Sequence, residues 1–66
     1  MQVLVNGKME TVKQARTLDD LLEELGYEKA SVAVARNGAF VPKRDYANLV
    51  LEDEMDLEIL LPMQGG

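Results

Sequence analysis

The chain has 66 residues, no cysteine and no histidine, which excludes disulfides, thiolate or imidazole metal sites and a histidine general base. Its net charge of −5, with only seven Lys and Arg scattered along it, argues against nucleic acid, because phosphate binding relies on clustered cations that release counterions; an acidic surface serves solubility and suits basic protein partners. A domain this short buries only about 60% of the surface it exposes when unfolded, so little interior is left for the roughly 300 to 1,000 Å³ pocket an enzyme needs.

Met1, Val3 and Val5 alternate with Gln2 and Leu4, the period of a strand. Asn6-Gly7 follows, the pair best suited to the positive φ angles of a type I′ hairpin turn, so a second strand is expected around Lys8 to Lys13. This opening reads as a strand and turn rather than a secretory leader, and no apolar run approaches the ~20 residues of a membrane span; the expected compartment is the cytoplasm. Thr17 is placed to cap a helix, with Asp19 and Asp20 in its first turn and Leu18, Leu21, Leu22 and Leu25 at helical spacing. Gly26 supplies the left-handed stop. Asp20, Glu23 and Glu24 fall on the opposite face and read as solvated charge.

In "SVAVARNGAFVP", Val32 and Val34 alternate with Ala33 and Ala35, a second Asn-Gly pair stands at Asn37-Gly38, and Phe40 and Val41 lead to Pro42. This is a second hairpin, ended by a residue with no amide hydrogen for the ladder. "KRDYANLVLEDEMD" is then a connector with one helical turn, in which Tyr46, Leu49 and Val50 are expected to tie the loop to the core. Its acidic run, Glu52-Asp53-Glu54-Met55-Asp56, lacks the glycine and distal glutamate of a calcium loop, so it reads as a solvated turn with no metal. "DLEILLP" alternates Leu57, Ile59 and Leu61 against Glu58 and Leu60 and closes at Pro62. The order β, β, α, β, short β, β, with one apolar helix face, predicts an α+β domain with the helix on one side of a mixed sheet of four to five strands.

Catalytic constellations are missing from this pattern. Ser31 has no histidine to activate it, and no phosphate-cradling glycine loop occurs. Gly65-Gly66 stands apart, since two glycines at two named positions arise by chance in about one chain in 200 at ~7% glycine usage. An α-carboxylate, ionised at neutral pH, can attack the α-phosphate of ATP in another protein's active site. Glycines before it remove the Cβ atoms that would block a narrow channel. A frayed tail of small residues is the competing reading.

Taken together, "VNG", "TLDDLLEELG", "VAVARNGAFVPKRDY" and the final "GG" resemble the thiamine-biosynthesis sulfur carrier (ThiS) family, ubiquitin-like β-grasp proteins, over essentially the whole chain. The resemblance implies a single β-grasp domain over 1–66 with a flexible tail at 62–66, and a last strand lying parallel to the first in the middle of the sheet. It implies a carrier that is a substrate and not an enzyme: an E1-like activating enzyme uses ATP to adenylate the Gly66 carboxylate, a sulfur donor such as a cysteine desulfurase system converts it to a thiocarboxylate, and thiazole synthase takes the sulfur. No cofactor is bound by the carrier itself. The molybdopterin-synthase small subunit and ubiquitin-like protein modifiers share such a fold and tail and remain alternatives, as does a small binding module with an inert tail. The family often has Asp-Gly-Asp where Asp53, Glu54 and Met55 stand, which leaves the turn type open.

Strand phase adds a partner surface. If Val3, Val5, Ile59 and Leu61 face the helix, then Leu4, Leu60, Ala33 and Ala35 point to the outer face and form an apolar docking patch. Met63 and Gln64 are expected in the groove that receives the tail, together with Gly65 and Gly66. Arg36, Lys43 and Arg44 are expected at the rim, where charge governs association rate more than affinity. The carrier is expected to be monomeric alone.

Overall fold

The computed structural model describes residues 1–61. Five strands, β1 (Gln2–Val5), β2 (Lys8–Thr11), β3 (Ala33–Arg36), β4 (Ala39–Val41) and β5 (Asp56–Leu60), form one sheet in the order β2-β1-β5-β3-β4. One helix, α1 (Leu18–Glu24), crosses between the two hairpins, and single 3-10 turns occupy Lys29–Ser31 and Lys43–Asp45. β1 and β5 are parallel at the centre, and the other pairings are antiparallel. This is the mixed sheet and central parallel pair that the β-grasp resemblance implies.

Local chemistry explains the elements. Asn6 and Gly7 have φ of 53° and 81°, and Asn37 and Gly38 have 51° and 85°, so both Asn-Gly pairs take the two left-handed residues of a type I′ turn. Thr17 caps α1: its hydroxyl accepts from the Asp20 N–H while the Asp20 carboxylate accepts from the Thr17 N–H, a reciprocal capping box. Gly26, at φ 86°, turns the chain away. β2 ends at Thr11 rather than Lys13, because its partner β1 runs out at Gln2, opposite Thr11.

Leu18, Leu21 and Leu22 are fully buried against Val3, Val34 and Leu57, each such side chain contributing roughly 1.5 to 3 kcal/mol by leaving water. The connector docks mostly as its pattern predicts, with one correction. Tyr46 is buried, its hydroxyl accepting from the Val34 N–H and donating to the Val32 carbonyl, and Leu49 packs against the core. Val50 instead is 65% exposed. The segment runs antiparallel beside Arg16–Leu18, with Leu18 N–H on the Leu49 carbonyl and Leu51 N–H on the Arg16 carbonyl, so Leu49 and Leu51 point inward and Val50 between them points out.

Leu61 requires a second correction. It is 67% exposed rather than facing the helix. β3 begins at Ala33, opposite Leu60, and β1 has already turned away at Asn6, so the strand partners stop before Leu61 and the alternation has no sheet to act on.

Candidate functional site

The last strand reaches the surface from the most constrained position in the sheet. β5 is flanked by β1 and β3, with the Leu4 N–H on the Met55 carbonyl at 2.8 Å and the Asn6 N–H on the Leu57 carbonyl at 2.9 Å. Leu60 and Leu61 emerge exposed at its end. Met63, Gln64, Gly65 and Gly66, and the whole proposed tail 62–66, lie outside the described residues.

Register assigns the outer sheet face. Leu4 pairs with Met9 and Asp56, Ala35 with Phe40 and Glu58, and Ala33 with Leu60, and paired residues share a face. The outer face therefore holds Leu4, half-buried, and the exposed Met9, Leu60 and Phe40, the last 69% exposed. Ala35 is a correction: it has the outer-face register but is only 5% exposed, because its methyl lies low between the longer Phe40 and Glu58. Phe40 lies outside the patch expected from sequence, although its phase with Ala35 across the Asn37-Gly38 turn is legible there. Asp56 and Glu58, both exposed on β5, divide the apolar residues into a Leu4/Met9 side and a Phe40/Ala33/Leu60 side.

The three basic residues separate. Lys43 comes to the exit of β5: with Ala30, Ser31, Val32, Ala33, Leu60 and Leu61 it borders a groove of about 280 Å³, and its Nζ donates to the Ala30 carbonyl at 2.7 Å. Arg44 is exposed in the neighbouring 3-10 turn. Arg36 lies at the other end of the sheet, in the helix-side row opposite Leu57, and its guanidinium pairs with Glu52 at 2.8 Å. It is not brought to the rim of the exit.

Two carboxylates read as solvated charge prove to be committed. Glu24 Oε2 accepts from the Lys13 N–H at 2.7 Å, and its Oε1 accepts from the Gln14 and Ala15 N–H groups at 2.9 and 3.0 Å. These main-chain bonds, from Lys13 and Gln14 first, hold its carboxyl below the usual glutamate range. Asp20 Oδ2 accepts from the Arg16 and Thr17 N–H groups, which lower its pKa in the same way. A groove of about 420 Å³ lies against Gln14, Ala15, Asp20, Glu23 and Glu24, but its two hydrogen-bonded carboxylates already serve the main chain and are poorly placed for acid-base work. No cluster of metal-ligating side chains occurs among the described residues, and no helix among them is long and apolar enough to cross a membrane.

With this geometry in hand, comparisons with known proteins agree in one direction. The model of the ThiS family matches residues 3–66. A thiazole synthase of Paramagnetospirillum magneticum is 38% identical over 66 residues, covering 100% of this chain and 20% of that protein; the chain thus spans about a fifth of the length of such relatives. The sulfur carrier protein ThiS of Escherichia coli is 29% identical, with 100% of both chains covered. Among solved structures, the crystal structure of the thiamine biosynthesis protein ThiS from Geobacter metallireducens superposes with a TM-score of 0.82 at 30% identity, covering 100% of both chains. The solution structure of a thiamine biosynthesis protein from the same organism gives 0.79 at 32% identity, covering 88% of that chain.

Proposed function

The chain belongs to the ThiS family, and from that premise we propose that it is a sulfur carrier for thiazole formation in thiamine biosynthesis, acting through the α-carboxylate of Gly66. The observation that carries the reading is the extent of the family match, which runs through Gly65 and Gly66. The carboxylate attacks the α-phosphorus of ATP and expels pyrophosphate, giving an acyl adenylate in the activating enzyme's site. Sulfide displaces AMP and leaves a thiocarboxylate directly; a persulfide donor displaces AMP to give an acyl disulfide, from which a second thiol takes the donor's sulfur as a disulfide and releases the thiocarboxylate. Nothing in these steps asks the carrier for an acid, a base or a metal.

The partners on this reading are an E1-like adenylating enzyme, a sulfur donor such as a cysteine desulfurase system, and thiazole synthase. The likeness to thiazole synthases that are five times longer supports the last of these, since it puts a similar module and that activity in one polypeptide. The work is done in the cytoplasm, where ATP is at hand. Partners dock on the outer sheet face, where Phe40, Leu60, Ala33 and Leu4 offer apolar surface and Lys43 borders the exit. Exposed apolar residues clustered on one sheet face are the usual mark of such a contact.

The test is intact mass. The purified chain is incubated with the adenylating enzyme of its own organism, ATP and a sulfur donor. Exchange of one oxygen for one sulfur is expected in the wild type and not after deletion of Gly66. Adducts joined to lysines of other proteins, or adenylation of the truncated chain, would overturn the reading.

A further inference from the structure

The Asn6-Gly7 turn accounts for only part of what Asn6 does. Its φ of 53° is the left-handed conformation that asparagine tolerates better than most residues. Its side chain reaches across to β5: Oδ1 accepts from the Ile59 N–H at 2.8 Å, and Nδ2 donates to the Ile59 carbonyl at 3.2 Å. A carboxamide carries one donor edge and one acceptor edge, as a peptide group does. The side chain therefore supplies one more rung of the parallel ladder after the β1 backbone has turned away into its hairpin.

Successive residues of a strand send their N–H and C=O groups to opposite neighbours. Leu57 and Ile59 face β1, while Glu58 and Leu60 face β3. Leu57 is held by the Asn6 main chain and Ile59 by the Asn6 side chain. Turn formation does not require this bond: Asn37 has nearly the same φ in the same dipeptide, yet only its main-chain N–H reaches β5, on the Asp56 carbonyl at 3.2 Å.

We propose that Asn6 is a positioning residue for the carboxyl terminus. Its carboxamide keeps β5 in the middle of the sheet as far as Ile59, two residues before the exposed Leu61, and so fixes the point from which the terminal segment is presented. This role rests on the reading of Gly66 as the activated group. Removing the clamp frees the β1-facing edge of Ile59, while Leu60 stays paired with Ala33 on β3 and keeps its place on the outer docking face. Body docking is then unchanged, and fewer docked complexes hold the carboxylate within reach of ATP.

The test compares Asn6→Gly, which keeps the left-handed turn and deletes the clamp, with Asn37→Gly, which deletes only a turn side chain. Amide exchange by NMR and ATP-pyrophosphate exchange with the purified adenylating enzyme are measured well below the melting temperature of each variant. In Asn6→Gly the Ile59 amide should exchange at least about tenfold faster through local opening, with Val3 and Leu21 as protected as in Asn37→Gly. Its kcat for adenylation should fall about threefold to tenfold, the size of a modest misplacement, while KM holds. Unchanged Ile59 exchange in Asn6→Gly would refute the clamp, and faster exchange with unchanged kcat would refute the positioning role. A wild-type chain that supports no ATP-pyrophosphate exchange would instead refute Gly66 activation, while the exchange data still judged the clamp.

Discussion

Glu24 shows how one side chain can organise a loop. Its carboxylate collects three main-chain N–H groups from Lys13, Gln14 and Ala15, and this lowers its pKa in the folded state, as Asp20 is lowered by Arg16 and Thr17. A carboxyl more acidic when folded binds fewer protons than in the unfolded chain, so its contribution is complete above the unfolded pKa and fades as pH falls through the folded one. The urea midpoint should therefore hold steady above the ordinary carboxylate range of about 4 and decline below it, with a shallower decline in Glu24→Gln; equal acid limbs would contradict this. Glu54 is the opposite case, a residue under strain. Its φ of 65° puts it in the left-handed region, which costs roughly 1 to 2 kcal/mol for a residue with a Cβ, and its N–H is held on the Gln2 carbonyl at 2.6 Å. This resolves the turn left open by the missing glycine: the conformation is kept and the penalty is accepted. Glu54→Gly should raise stability by about 0.5 kcal/mol or more, after the added freedom of glycine in the unfolded chain is subtracted, seen as a higher melting temperature.

At the scale of elements, α1 has seven residues, far below the ~12 to 15 that an isolated helix needs, so its cap and its buried leucines carry it. Thr17→Ala removes the acceptor of the Asp20 N–H and should cost about 1 kcal/mol, measured by urea unfolding; a neutral result would mean that Asp20 alone suffices as a cap. The helix, both hairpins and the last strand were legible in the sequence, because leucine spacing, Asn-Gly pairs and alternation are local signals. Leu61 and Val50 were not, since the first depends on where neighbouring strands stop and the second on which segment lies alongside. Glu24 was misread for the same reason: periodicity names the face of a helix and leaves unstated what passes over it.

For the whole molecule, the proposed roles of presentation and recognition fall on separate parts. β5 sits between β1 and β3 and its last residues lie at one end of the sheet, while the outer face beside it offers Phe40 and Leu60. Both residues are exposed, so Phe40→Ser with Leu60→Ser should leave the melting temperature within a few degrees, as surface changes usually do. KM for the carrier in adenylation should rise at least about tenfold, the loss expected when interface anchors are truncated. An unchanged KM would remove this face from the docking surface.

The sequence alone determined the element order, the single-helix α+β class, the absence of thiol and imidazole chemistry and the presence of Gly65-Gly66, because each of these is written in neighbouring residues or in composition. Tertiary structure alone decided that Asn6 bonds to Ile59, that Glu24 gathers the 13–15 loop, that Ala35 is covered and that Arg36 pairs with Glu52 away from the exit. The three hydrogen-bonded contacts among them join residues between nine and 53 positions apart, and only the folded arrangement determines which distant groups meet.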